Sequence, residues 1–207
     1  MTDNRQIGGI GLTGGIATGK STVSEMLREL GAIILDADDF ARKVVEKDRP
    51  AWRAILNHFG GKILRPDMEI DRRLLADIVF SDADSRKALE RIVHPAVYEA
   101  MTEAALAAVH RHPEVPVIHD IPLLYETGAH RRMRRVIVVY APECLQRRRL
   151  MQRNQLSRED ADARIRAQMD IEEKRKRADI LVDNSGSLAD TRERVVEVYR
   201  QLVTKER

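Results

Sequence analysis

Eight residues near the start of the chain, Gly14-Gly15-Ile16-Ala17-Thr18-Gly19-Lys20-Ser21, have the spacing G-x-x-x-x-G-K-[ST], which is the spacing of a polyphosphate cradle. Gly14 and Gly19 let the backbone curl so that successive N–H groups turn inward toward phosphate oxygens. Gly15, Ala17 and Thr18 supply the main chain of that curl, and Thr22 follows it. A helix starting at Lys20-Ser21 would add its partial positive charge at the same point. Lys20 is long enough to reach the β- and γ-phosphates, and the Ser21 hydroxyl is a ligand for Mg²⁺. These parts predict that the chain handles a nucleoside triphosphate with Mg²⁺. The stretch also spells G-x-G-x-x-G at Gly9, Gly11 and Gly14, with Asp36 at the distance of a ribose-binding acid. That dinucleotide reading leaves only Ile7-Gly8 as the strand before the turn and gives Lys20 and Ser21 nothing to do.

Further candidates lie where apolar runs end. Asp36-Ala37-Asp38 follows one such run. A carboxylate there can orient an alcohol and accept its proton, and Arg42, one helical turn on, can clamp an anionic part of that alcohol. Alternatively, one of the two aspartates caps a helix beginning near Phe40. Asp120 ends another apolar run and can help hold Mg²⁺. Glu126 is either a polar contact to substrate or a helix-start residue. His94-Pro95 reads as a break in a long helical stretch, with His94 facing a site or packed beside a kink.

To act together these residues need a sheet. Ile7 to Thr13 reads as a buried strand, and Ser21 to Leu30 as a helix with Val23, Met26, Leu27 and Leu30 on one face. Four more apolar runs follow: Ala32 to Leu35, Val115 to Ile118, Val136 to Tyr140 and Ile180 to Val182. Strands apolar on both faces and alternating with helices predict an α/β fold, a five-stranded parallel sheet in a three-layer sandwich. If the strand order is ordinary, Asp36 to Asp38 lies beside the glycine loop, because such sheets bind ligands at the carboxyl ends of their strands. The stretch between Asp36 and Val115 is much longer than one crossover helix requires. It holds helical patterns at Phe40 to Glu46, Ala51 to Phe59, Leu74 to Phe80 and Ser85 to about His110, with the lone Trp52 packed among them. The expected organisation is a nucleotide-binding core of residues 1–38, 113–143 and 178–207, a helical acceptor-binding insertion at 39–112, and a lid at 144–177. The lid stretch carries Arg147, Arg148, Arg149, Arg153, Arg158, Arg164 and Arg166. They read either as solvated helix faces or as arginines brought over a triphosphate.

The chain has 207 residues, enough for one α/β domain with insertions. Aromatic residues are only 4%, which argues against a base-stacking nucleic-acid surface. A net charge of +3 suits an anionic small molecule at least as well as a polynucleotide. Cys144 is the single cysteine, so no internal disulfide can form, as suits a reducing cytosol. Met1 to Gln6 lacks a signal-peptide core, and no apolar run reaches membrane-spanning length. The expected location is the cytoplasm.

Taken together the motifs resemble the dephospho-CoA kinase family. The likeness runs through Gly11 to Ile16 and Gly19 to Val23, then Asp36-Ala37-Asp38 with Ala41-Arg42, then His94-Pro95 and Pro122-Leu123-Leu124-Tyr125-Glu126. It continues over Arg149 to Arg153, Arg164-Ile165 to Gln168, Ala178-Asp179 and Asp183-Asn184-Ser185-Gly186. The combination of Asp-Ala-Asp-x-x-Ala-Arg with Pro-Leu-Leu-x-Glu is far more specific than the glycine loop. The resemblance implies transfer of the γ-phosphoryl group of ATP to the ribose 3′-hydroxyl of dephospho-CoA, the last step of coenzyme A synthesis. It implies Asp38 as general base, Arg42 on acceptor phosphate or ribose, Lys20 on the migrating charge, and Arg149 and Arg153 closing from the lid. By the same likeness Thr13, His94, Leu123 and Glu126 belong to the acceptor side. Ala17 departs from the glycine usual in the family, and alanine fits if its φ stays negative.

Three rival functions remain. Another nucleotide or nucleoside kinase would share the loop and lid. A GTPase-type switch lacks support, because no Asn-Lys-x-Asp guanine signature occurs. Nucleic-acid binding rests only on a basic pI near 9.1.

Overall fold

The computed structural model describes residues 9–205. Met1 to Gln6, and Ile7-Gly8 at the start of the expected first strand, lie outside them. The chain divides into two compact units.

The first unit comprises the chain up to Leu35 and from Ala105 onward. Its strands are β1 (Ile10–Gly14), β2 (Ile33–Asp36), β3 (Val117–Asp120), β4 (Arg135–Tyr140) and β5 (Ile180–Asp183), in the spatial order β2-β3-β1-β4-β5. β1 pairs in parallel with β3 and β4, and β4 with β5. This is the predicted five-stranded parallel sheet. β3 lies between β2 and β1, so the strand that ends at Asp36 does not neighbour the strand feeding the glycine loop. The strand that ends at Asp120 does, with Leu12 opposite Asp120.

Alternation along β4 shows how the sheet is covered on both faces. Ile137 and Val139 join Ile10, Leu12, Ile118, Ile180 and Val182 in one cluster under α1 (Lys20–Glu29) and α9 (Leu188–Lys205). Val23, Met26 and Leu27 close it from α1, and Val195, Val198 and Leu202 from α9. Full burial of each such side chain is worth about 1.5–3 kcal/mol. Tyr140 points to the other face, where its hydroxyl donates to Glu172 of α8 (Ile171–Lys176) at 2.6 Å. Between β4 and α8 run α6 (Glu143–Asn154) and α7 (Arg158–Arg166).

The glycines of the overlapping G-x-G-x-x-G pattern serve packing. Gly11 and Gly14 belong to β1 itself rather than to a turn after it. A Cβ at Gly9 would come within 2.4 Å of the buried His119 ring, and one at Gly11 within 2.8 Å of Leu124. The dinucleotide reading loses its turn and is set aside.

The second unit, Asp36–Ala104, carries α2 (Ala37–Val44), α3 (Pro50–Phe59), α4 (Arg72–Ser81) and most of α5 (Ala83–Arg111). Trp52, Ile55, Phe59, Ile63, Ile70 and Leu75 form its core, and the Trp52 indole N–H donates to the Met68 carbonyl at 3.2 Å. The expected break at His94-Pro95 is not one, because α5 runs on through Pro95. Proline there forfeits one main-chain bond of the helix, and the helix continues on both sides of it. Among the described residues no helix is long and apolar enough to cross a membrane.

Candidate functional site

β1 delivers the chain into the loop at Gly14, and Gly19 sits at the N-terminus of α1 with φ +92°. Inside the loop the Thr18 amide and hydroxyl both donate to the Gly15 carbonyl, at 3.2 and 2.9 Å. The Thr22 and Val23 amides turn back to the Gly19 carbonyl. The amides of Ala17, Gly19, Lys20 and Ser21 have no protein acceptor among the described residues. These are the donors a phosphate tail requires at a helix start.

Ala17 overturns one expectation. Its φ is +59°, in the left-handed region, where a negative value was required for alanine to fit. A Cβ beside the following carbonyl costs about 1–2 kcal/mol there. Ala17→Gly relieves that strain and gives back part of it as unfolded-chain entropy. The variant is therefore expected to gain about 0.5–1 kcal/mol, read as a raised denaturant midpoint at constant m. A lowered midpoint would contradict the strain.

Gly19 has no room for a side chain either, since its Cβ would lie 2.0 Å from Asn184 Nδ2. Asn184 follows β5 and is buried. Its Nδ2 donates to the Thr18 carbonyl at 2.7 Å, and its Oδ1 accepts from the Thr191 hydroxyl at 2.8 Å. Arg149, from α6, donates Nη1 to the Thr18 carbonyl at 3.2 Å and Nη2 to the Asn184 carbonyl at 2.8 Å. Burial, with the neighbouring Arg148 cation second, draws its guanidinium below its ordinary pKa. Arg149 therefore braces the loop through these carbonyls. A cleft of about 550 Å³ runs from Ala17, Gly19 and Thr22 past Arg149 and Arg153 to Gly186 and Leu188. The exposed Arg153 donates Nε to Asn154 Oδ1 at 2.9 Å.

Lys20 is ion-paired with Asp120, whose side chain is 4% exposed. Ser21 is exposed at the first turn of α1. Thr13 is fully buried, and its hydroxyl donates to the Pro122 carbonyl at 2.9 Å, tying β1 to the segment leaving β3. Leu123 is 41% exposed on that segment. No regular helix starts at Glu126. Its carboxylate lies 2.8 Å from the Lys174 ammonium and accepts the Met169 amide at 3.0 Å. Burial opposes that charge most strongly, yet the Lys174 and Met169 bonds together hold the carboxyl below its ordinary range.

The other candidates lie in the second unit. The Asp36 side chain accepts the Asp38 amide at 2.8 Å and caps α2, which starts at Ala37, earlier than Phe40. Asp38 is thus left exposed on the first turn, not spent on the cap. Arg42 pairs with Asp39 at 2.9 Å. His94 is half-buried against Tyr98, at 6.3 Å between ring centres, and lines an open groove with Asp84, Lys87, Glu90 and Arg91.

The sequence pattern of the dephospho-CoA kinase family matches residues 9–190. The chain belongs to the dephospho-CoA kinase family. Its relatives include a dephospho-CoA kinase of Geobacillus kaustophilus, 47% identical over 93% of this chain and 95% of the relative. Another, of Anaeromyxobacter dehalogenans, is 49% identical over 86% and 84%. Among solved structures, dephospho-CoA kinase from Campylobacter jejuni superposes with a TM-score of 0.73 at 34% identity, covering 96% of this chain and 98% of that one. Shikimate kinase from Acinetobacter baumannii shares the fold at 16% identity with a TM-score of 0.52, covering 97% and 96%.

Sequence reasoning passed over one residue of this dephospho-CoA kinase family site. Lys174 is fully buried and sits in the charged run Glu172 to Arg177. Its signal was its position three residues after Ile171, on the single buried face of α8.

Proposed function

We propose that this chain transfers the γ-phosphoryl group of ATP to the ribose 3′-hydroxyl of dephospho-CoA, giving CoA and ADP. The observation that carries the reading is the loop with unspent amides at Ala17, Gly19, Lys20 and Ser21, with the Lys20 cation at its end and Arg153 lining the adjoining cleft. Family membership supports the acceptor.

The amides and Lys20 take the phosphate tail, and the cleft toward Gly186 and Leu188 is the space for the nucleoside. Asp38 accepts the proton of the 3′-hydroxyl as its oxygen bonds to the γ-phosphorus. The bond from that phosphorus to the bridging oxygen breaks, and ADP leaves. Charge builds on the phosphoryl oxygens, so pre-placed cations and dipoles supply most of the acceleration. Arg149 contributes through the loop carbonyls it holds, and Arg153 is the lid arginine with a free path to the cleft. Arg42, His94, Leu123 and Glu126 are assigned to the acceptor side.

Mg²⁺ fits the donor set. The Ser21 hydroxyl and the Asp120 carboxylate are hard oxygen ligands, and no cluster of three or more His, Cys, Asp or Glu occurs among the described residues. A cation held by few protein ligands and completed by phosphate and water is the habit of Mg²⁺. When bound it neutralises charge on the β- and γ-oxygens. A reducing cytoplasm suits the exposed thiol of Cys144.

Phosphorylation rates with dephospho-CoA, AMP, CMP and nucleosides, each with Mg·ATP, test the acceptor. Dephospho-CoA should be preferred, and a higher kcat/KM for any other acceptor would overturn the assignment.

A further inference from the structure

We propose that Gln168 is a positioning residue, a built-in splint that keeps the Ile16 amide out of the phosphate-binding set and fixes the crest of the loop. The inference rests on the kinase reading of that loop.

Two contacts reach the loop from one short segment, residues 168–174. The Ile16 amide donates to Gln168 Oε1 at 2.8 Å. The Lys174 ammonium donates to the Gly14 carbonyl at 3.1 Å. Lys174 is 0% exposed, so it cannot serve as a cation that meets phosphate from solvent. A buried ammonium is tolerated only when paired and hydrogen-bonded, and Glu126 supplies the charge at 2.8 Å. Glu126 also accepts the amide of Met169, the residue next to Gln168. The contacts close a circuit: Gly14 to Lys174, Lys174 to Glu126, Glu126 to Met169, and Gln168 back to Ile16.

The circuit answers a need created by Ala17. A non-glycine residue at φ +59° persists only where its neighbours over-determine it. Thr18 is fixed on one side of Ala17 by its bonds to Gly15, and Ile16 is fixed on the other side by Gln168. With the Ile16 and Thr18 amides spent, those of Ala17, Gly19, Lys20 and Ser21 remain to meet anionic oxygens. The side chain chosen for the splint is a neutral carboxamide. A carboxylate of equal length would accept the same amide but would stand close to a polyanion and repel it.

Two variants of the full chain separate these effects. Gln168→Met keeps length and removes the acceptor, and Gln168→Glu keeps the acceptor and adds charge. Mg·ATP affinity by calorimetry, kcat and both KM values, and thermal midpoints are measured. Gln168→Met should weaken ATP binding about tenfold, the scale of one lost hydrogen bond. Its KM for dephospho-CoA and its midpoint should stay close to wild type. Gln168→Glu should bind ATP more weakly still while remaining folded. In the wild-type chain the Ile16 amide resonance should hold its position as ATP is added, while those of Gly19 and Lys20 move. ATP affinity in Gln168→Met equal to or tighter than wild type would overturn the splint, as would an Ile16 amide that shifts onto phosphate. A wild-type chain that binds no Mg·ATP would remove the kinase reading itself, and the splint with it.

Discussion

Lys20→Ala is expected to lower kcat/KM by about a thousandfold, the upper scale for losing one pre-placed donor to developing charge. Two effects add. The variant removes the cation that would travel with the γ-phosphoryl oxygens. It also removes the positive partner facing Asp120, a carboxylate 4% exposed beside the loop. Carboxylate and phosphate then meet with less positive charge between them, and repulsion in a partly dry site is worth more than in water. ATP affinity should therefore fall together with the rate. The double variant Lys20→Ala/Asp120→Asn distinguishes the two contributions. Removing the carboxylate charge should return part of the ATP affinity and little of the rate, because the lost cation acts on the transition state. Calorimetry and steady-state kinetics read the two separately. Near-normal kinetics in Lys20→Ala would take the residue out of phosphoryl transfer altogether.

The parts of this site that were legible in the sequence are those fixed by local spacing. Gly14 to Ser21 encodes a turn and a helix start within eight residues, and the turn is where that spacing puts it. The strands were legible because β3, β4 and β5 each overlap a short apolar run, and only their ends shifted by a residue or two. Strand order was not, since it is decided by which edges and faces meet across long separations. β3, eighty residues and more beyond β2 in the chain, comes between β2 and β1. Pro95 misled for a related reason. Its local cost to a helix is real, but packing along the rest of α5 outweighs it. Ala17 shows the limit of reading a residue by its own preference. The bonds of Ile16 and Thr18 hold it in a conformation that alanine alone would avoid. Lys174 was hidden because lysine in a charged run is ordinarily solvated, and only its shared face with Ile171 marks it as buried.

Asp38→Asn is expected to reduce kcat by about a hundredfold or more, the ordinary effect of removing a general base. ATP affinity should be kept, because the role proposed for Asp38 is on the acceptor hydroxyl and not on the phosphate tail. The substitution also leaves the fold intact, for a structural reason. The N-terminus of α2 is capped by Asp36, whose carboxylate holds the amide, not the side chain, of residue 38. Asparagine at 38 leaves that cap intact, preserves shape and still accepts a hydrogen bond, but it cannot take the proton of an alcohol at neutral pH. The loss should fall on kcat with dephospho-CoA saturating, since orientation of the acceptor survives better than its deprotonation. A carboxylate that merely decorated the surface of α2 would show no such split. Turnover in Asp38→Asn close to wild type would pass the proton to another group, and the exposed carboxylate on the first turn of α2 would then have no part in the chemistry.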